Sequence, residues 1–433
     1  MSTFGRHRNP STAGNWARIV AFVFLPVAAA VVTYGLRLHF GWLLSAYGLL
    51  AFGRAIAQSA MAAAVRRRTH RLAGQPMVSI VVAVLNEPIE AFDRAMASLA
   101  RQNWPAYEVI VVDDGSDNPD ANRAVCERHG LRYVWQPNAG KRHALHRAFG
   151  MLHPQSRYVL TGDSDTVWHP DATARLVAGL QSGVDVGAVT GHVGTLNPRV
   201  NWLTRLTALR YWVAFEVERA AQGFFGVVTC VSGPLGGYRR DLIDRIKGDF
   251  IAQRFMGKPC TFGDDRHLTN LTLLAGYRVV YTRAEAWTEV PSGLRQYLRQ
   301  QTRWGKSHWR ELLWTWRALP KHPLYLAYDW ALTLLLPFLL VASVGRYAVA
   351  AAGGHPRQVL VFLAAVVLMG LVRAVPAVVS TRRPEFLLLA VFSLFHLVVL
   401  LPLKFVSLAT VARGTWGTRK ATARPVEVTA VTA

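Results

Sequence analysis

Residues 107–116 read Tyr107-Glu108-Val109-Ile110-Val111-Val112-Asp113-Asp114-Gly115-Ser116, an apolar run that stops on two acids, a glycine and a serine. A short run that ends so abruptly reads as a buried strand, with its chemistry placed where the strand stops. Working outward, Val78–Leu85 is a second such strand, closed by Asn86-Glu87, and Glu90–Gln102 carries helical spacing between the two. Leu131–Trp135 and Tyr158–Thr161 follow, the latter leading into Asp163-Ser164-Asp165. Strands alternating with helices of this length predict βαβ units and an α/β domain with a mostly parallel sheet. In such sheets ligands bind beyond the carboxyl ends of the strands.

Three strand ends therefore carry acids: Glu87, the Asp113-Asp114 pair, and Asp163 with Asp165. Crowded carboxylates cost free energy unless a cation or hydrogen-bond donors lie among them. A divalent ion carrying a diphosphate meets that need, and hard oxygen ligands suit Mg²⁺ or Mn²⁺. A lone Asp-Xaa-Asp is mostly a solvated turn, so the weight comes from the register at successive strand ends. Asn138-Ala139-Gly140-Lys141-Arg142 adds a loop-to-helix turn with a cation, which suits an anion, although a solvated helix start has the same sequence. Asp264 and Asp265 open another predicted helix, whose N-terminus favours their ionised forms.

Apolar segments flank this region. Only 17% of the 433 residues are charged and 52% are hydrophobic, a balance that leans toward the membrane. Ile19–Leu36 is long enough to span a bilayer and reads as an uncleaved signal-anchor; Phe40–Val65 is a second span, with Arg54 expected to snorkel toward an interface. Arg6, Arg8 and Arg18 precede this hairpin and Arg66–Arg68 follow it, which by the positive-inside rule puts the central region in the cytoplasm. Three more apolar segments lie near Trp330–Ala350, Gln358–Ser380 (interrupted by Arg373) and Phe386–Leu403. The net charge of +23 lies largely beside apolar segments and fits anionic lipid headgroups. No basic fold for reading nucleic acid is recognisable. The cysteines Cys126, Cys230 and Cys260 are too few and scattered for a disulfide framework or zinc site.

Asp113-Asp114-Gly115-Ser116 followed by Asp163-Ser164-Asp165 resembles the GT-A fold of inverting family-2 glycosyltransferases. The resemblance implies a UDP-sugar donor, with Asn86, Glu87, Asp113, Asp114 and Lys141 on the nucleotide side and Asp165 and Asp163 holding the metal–diphosphate. It places the general base at Asp265, which would take the acceptor hydroxyl proton. Gln300-Gln301-Thr302-Arg303-Trp304 matches the Gln-Xaa-Xaa-Arg-Trp signature of processive members. There Arg303 can hold a diphosphate oxygen and Trp304 offers a plate for a sugar ring. The same stretch, with Trp309, Trp314 and Trp316, also suits an amphipathic helix at the membrane surface.

Ser232-Gly233-Pro234-Leu235-Gly236-Gly237-Tyr238-Arg239 resembles an acceptor-side segment of hyaluronan synthases, and Trp416-Gly417-Thr418-Arg419-Lys420 their C-terminal motif over the diphosphate. The resemblance covers about residues 78–312 and 395–420, and assigns Cys260, Gln300, Trp304, Gly233 and Pro234 to the acceptor and Trp416 and Arg419 to the donor. The expected organisation is a transmembrane hairpin (1–72), a cytoplasmic GT-A domain (73–290), interface helices (291–325), C-terminal transmembrane helices (326–412) and a cytoplasmic tail (413–433). Three C-terminal crossings would leave that tail outside. Either one segment is interfacial, or the stretch through Pro402 and Lys404 returns across the membrane.

The implied activity is processive polymerisation of UDP-GlcNAc and UDP-glucuronate into hyaluronan with export through the same chain, at the plasma membrane, among lipids and with no obligatory protein partner. The glucuronate rests on the resemblance alone, since no motif must bind its carboxylate. The alternatives are a chitin or chitin-oligosaccharide synthase using UDP-GlcNAc only, and a catalytically silent export subunit.

Overall fold

The computed structural model describes residues 46–66 and 70–412. The Ile19–Leu36 segment, and Trp416 and Arg419 of the C-terminal motif, lie outside the described residues. Helix α1 (Ala46–Arg66) leads into β1 (Val78–Val84), α2 (Ile89–Leu99), β2 (Tyr107–Asp113), α3 (Pro119–Arg128), β3 (Arg132–Trp135), α4 (Lys141–Phe149) and β4 (Tyr158–Asp163). Then come β5 (Val167–Trp168), α5 (Ala172–Leu180), β6 (Val186–Thr195), α6 (Trp202–Val213), a π-helical turn (Ala214–Arg219), α7 (Ala220–Phe224), β7 (Gly236–Arg239) and α8 (Arg240–Ile251). A small hairpin of β8 (Arg254–Phe255) and β9 (Lys258–Pro259) precedes α9 (Asp264–Leu274), β10 (Arg278–Thr288) and the long α10 (Leu294–Thr315).

The sheet runs β3-β2-β1-β4-β7-β6-β10-β5. Its first four strands are parallel; β7 runs antiparallel to both β4 and β6. The register aligns the strand ends: Val84 on β1 faces Asp113 on β2, and Ala83 faces Asp163 on β4. The mostly parallel sheet expected from the sequence is present, and the acids converge because their strands stop together.

β1 is buried on both faces because helices cover it, which is why it reads as a nearly unbroken apolar run. Phe92, Met96 and Leu99 of α2 pack against it, and burying each stabilises the fold by roughly 1.5–3 kcal/mol. The same core continues into Leu326, Ala327, Ala374 and Phe386, so the sheet domain and the membrane-proximal helices share one interior. All three cysteines are free and buried.

Four helical stretches among the described residues are long and apolar enough to cross a membrane: Tyr47–Val65, Leu324–Ala352 (α11), Pro356–Thr381 (α12) and Pro384–Ala409. The last is less regular, with a 3₁₀ start and a π-helical turn at His396–Leu400. Both its halves touch interface elements of the sheet domain. Trp212 meets Phe386 at 5.1 Å and Tyr297 meets Phe395 at 6.1 Å; Trp309 Nε1 donates to Lys404 O at 2.9 Å and Ser407 Oγ to Thr302 O at 3.3 Å. A straight helix of that length would carry one end about 39 Å from the other. The second half of Pro384–Ala409 also packs, through Leu401, on Leu340, Phe362 and Val366 of α11 and α12.

Arg54 corrects the sequence reading. It donates from Nη2 to Asp329 Oδ1 at 2.7 Å and to Thr333 Oγ1 at 3.2 Å, with its side chain 17% exposed. It faces the bundle interior, where an acid on α11 compensates its charge, and does not snorkel to a headgroup.

Candidate active site

The loop after β2 is built on Gly115, whose φ of +82° is open to glycine and whose Cβ, if present, would lie 2.7 Å from Asn138 N. That close approach brings the loop before α4 against the strand end. Asp113 is wholly buried and accepts from Ser116 N, Asn122 Nδ2 and Tyr133 OH at 2.8–2.9 Å. Asp114 accepts from Gln136 Nε2, Ala139 N and Gly140 N at 2.7–3.0 Å. Burial still pushes the Asp114 carboxyl above its ordinary range, against the pull of those donors. Asn86 ties the neighbouring loops by accepting from Asp117 N and donating to Asp117 Oδ2, and Glu87 accepts from Ser164 Oγ at 2.8 Å. These four residues fix the shape of the rim.

One strand over, the acids are treated differently. Lys141, at the start of α4, ion-pairs with Asp163 Oδ1. Burial alone would lower the Lys141 pKa, but Asp163, with Asp264 and Asp265 further off, holds it above its ordinary value. Among the described residues Asp165 accepts only from the hydroxyl of Thr166, at 3.2 Å. Burial and the Asp163 and Glu87 carboxylates push its pKa up to about 6. Gly233 and Pro234 close over this pair: a Cβ on Gly233 would come 3.4 Å from Asp163 Oδ1, and Pro234 O accepts from Trp168 Nε1 at 2.9 Å.

Among the described residues no three His, Cys, Asp or Glu side chains form a ready-made metal cage. Two acids short of donors, one with a raised pKa, still fit a divalent cation whose remaining ligands are phosphate oxygens and water. That is how Mg²⁺ is usually held.

The third set opens α9. Gly263 (φ +81°) caps the helix, and a Cβ there would fall 2.7 Å from Arg310 Nη2, so only glycine lets α10 approach. Asp264 and Asp265 then diverge. Asp264 accepts from the buried Arg142 Nε at 2.9 Å, and Arg142 Nη1 also donates to Phe250 O and Gln253 Oε1. Asp265 has lighter partners: Arg266 N on Oδ1 at 2.8 Å and the Cys230 thiol on Oδ2 at 3.4 Å. Burial first, then the Asp265 charge, pushes the Cys230 thiol up, so it stays protonated and donates. Asp265 is thus the acid of the two left able to take a proton.

Behind α9 a buried network fixes it to α10. Glu311 accepts from Gln253 Nε2, Arg310 Nε and Asn270 Nδ2 at 2.7–3.1 Å, and pairs with His267 Nδ1 at 3.2 Å. Burial opposes ionisation of Glu311, but the His267 bond and charge and Arg310 hold its pKa down to about 2.

A cavity of about 770 Å³ joins these parts. Lys141, Asp163, Asp165, Gly233, Pro234, Asp265, Gln300, Arg303 and Trp304 all line it. It continues between the membrane helices past Leu336, Leu340, Val366 and Met369. Asn86, Glu87, Asp113 and Asp114 are not among its lining residues and are tied to protein partners. Cys260 is buried at the β8–β9 hairpin with its N–H on Gln253 O and is not among the lining residues, and the thiol on Asp265 is that of Cys230. Sequence reading also missed Tyr211, Phe215 and Arg219 on the wall. Phe215 and Arg219 sit on the π-helical turn, which no periodicity announces, and Tyr211 lies just before it on α6.

Comparison with known proteins agrees with this geometry. The family described as "Glycosyltransferase like family 2" matches residues 76–307. Hyaluronan synthase 3 of Xenopus laevis is 35% identical over 383 residues, covering 80% of this chain and 68% of that protein. Hyaluronan synthase 3 of Homo sapiens is 33% identical, covering 86% and 76%, and hyaluronan synthase 2 of Xenopus laevis 31%, covering 93% and 79%. Among solved structures, the mannosyltransferase PcManGT from Pyrobaculum calidifontis, in complex with GDP-Man and Mn²⁺, shares the fold with a TM-score of 0.57 at 23% identity, over 80% of this chain and 96% of that one. A sheet whose acids meet at one edge, a Gln-Xaa-Xaa-Arg-Trp helix at the same cavity and relatives matched over most of their length lead to one conclusion: the chain belongs to the hyaluronan synthase-like family-2 glycosyltransferases.

Proposed function

We propose that this chain joins UDP-GlcNAc and UDP-glucuronate into hyaluronan on the cytoplasmic side of the plasma membrane and passes the polymer out between its own helices. The observation that carries the reading is the single cavity running from Asp163, Asp165 and Asp265 past Trp304 to Leu336, Leu340 and Met369. A site for transfer and a path for product are one space.

Asp265 takes the proton of the acceptor hydroxyl as it attacks the anomeric carbon, with inversion from an α-linked donor to a β-linked product. The Cys230 thiol and the Arg266 N–H hold the carboxylate in place. Lys141 and Arg303 offer positive charge to the departing UDP. A Mg²⁺ or Mn²⁺ ion held by Asp163 and Asp165 would polarise the diphosphate leaving group. Trp304, 39% exposed, presents a ring face to the acceptor sugar. With Pro384–Ala409 along the interface, α11 and α12 are the two C-terminal crossings, and the tail stays on the catalytic side. Trp416 and Arg419 can then close over the diphosphate.

The test is to incubate purified protein and Mg²⁺ or Mn²⁺ with each donor alone and with both. Polymer formed only with both donors, sensitive to hyaluronidase, is expected. Chitinase-sensitive polymer from UDP-GlcNAc alone would replace this reading with a chitin-type synthase.

A further inference from the structure

The wall opposite the Gln-Xaa-Xaa-Arg-Trp helix is made by the π-helical turn Ala214–Arg219, where Phe215, Glu218 and Arg219 all line the cavity. Extra-residue turns of this kind re-aim side chains and gather at functional sites. Glu218 is taken, accepting from Arg210 Nη2 at 2.9 Å. Arg219 makes no ion pair among the described residues. Its guanidinium carbon lies 3.9 Å from the centre of the Phe215 ring, and its Nη1, shielded from solvent, has no acceptor. A buried guanidinium N–H without an acceptor is costly, and an anionic ligand removes that cost.

The surroundings fix which ligand. Phe215 meets Tyr211 at 6.2 Å and Tyr211 meets Trp304 at 6.4 Å, giving an aromatic row from Arg219 to the signature helix. In the other direction the Arg219 charge bears on Cys230, the thiol on the Asp265 carboxylate. Arg219 shares the cavity lining with Trp304, Cys230 and Asp265, the acceptor end in this reading, while Lys141 pairs with Asp163. An anion at the acceptor end of a sugar-polymerising site is a sugar carboxylate, and the planar guanidinium fork matches it in shape.

We propose that Arg219 reads the carboxylate of a uronate unit at the acceptor end of the growing chain. This rests on the polymerase reading above and supplies the residue that no sequence motif gave.

The test measures binding to the full-length protein, with UDP and Mn²⁺ present, of a hyaluronan tetrasaccharide ending in glucuronate and of its carboxyl-reduced counterpart. The wild type should bind the acidic form roughly tenfold or more tightly. Arg219→Gln should bring the two affinities to within about twofold, and Arg219→Lys should keep part of the preference, because it retains charge but not the fork. UDP affinity of each variant reports an intact fold, and Arg219→Lys carries the test if Arg219→Gln does not fold. An unchanged preference in a folded variant, or no preference in the wild type, overturns the assignment. Failure of the polymerase reading shows separately, as wild-type protein that makes no uronate-dependent polymer from the two donors.

Discussion

At the end of β2, Asp113 and Asp114 are enclosed by backbone N–H groups, two side-chain amides and a tyrosine hydroxyl, while at the end of β4 Asp163 and Asp165 share one lysine and a threonine hydroxyl. The residue type is the same and the strand ends are in register. What differs is who supplies the compensating donors. The first pair is completed by the protein, and the second is left short of donors, as the proposed cation site requires. Asp264 and Asp265 repeat the division within one helical turn, the first held by the buried Arg142 and the second by lighter partners, both on the cavity lining.

This contrast can be broken in several ways. The largest effect should come from Asp265→Asn, which keeps shape but removes the proton acceptor; polymer formation should fall by roughly two to four orders of magnitude while UDP binding persists. Near-normal turnover in a folded variant would move the base elsewhere.

Next, Asp165→Ala should abolish the Mn²⁺ dependence of UDP binding, measured by titration with and without the ion. The same carboxyl gives a pH signature. Its folded pKa of about 6 lies above the unfolded value of 3.8, so the ionised form destabilises the metal-free fold. That penalty is absent below about pH 4, grows through the interval and is complete above about pH 6. Asp165→Asn should therefore raise the metal-free Tm by a few degrees, roughly, at neutral pH and leave it unchanged near pH 4. A Tm gain that ignores pH would contradict the donor-poor description of this site.

Asp114→Asn tests the satisfied side. An amide turned toward Ala139 N and Gly140 N must lose an acceptor, so we expect a loss of roughly 1–3 kcal/mol in stability by denaturant melt. Metal dependence of UDP binding should be unchanged. Loss of metal dependence without loss of stability would reverse the roles of the two pairs. The smallest effect is expected at Cys230→Ser, where a stronger donor replaces a weak one on Asp265. The rate should change less than about threefold.

Much of this was legible in the sequence, for a physical reason. β1, β2 and β4 are largely buried on both faces, so they read as apolar runs that stop on acids. Asp163 and Asp165 were visible on those terms, while Asp265, Arg303 and Trp304 were named through the family resemblance. Their partners were not. Arg142 reaches Asp264 across 122 positions and Arg54 reaches Asp329 across 275, and neither spacing leaves a local pattern. The Cys230 thiol reaches Asp265 across 35 positions, and no spacing announces it either. Arg219 was hidden by a π-helical turn that neither a helical nor a strand period describes.

The Glu311 network has a practical meaning for anyone wishing to study the catalytic half alone. A fragment ending near residue 290 has every strand and both acids of α9, yet it lacks the one carboxylate that accepts from Gln253, Asn270 and Arg310. His267 and Asn270 would remain in a site shaped for an anion that is gone, and Gly263 would lose the helix it was kept small to admit. The piece that looks severable on paper ends, in energetic terms, only after Thr315, a few residues short of the apolar helix that begins at Leu324.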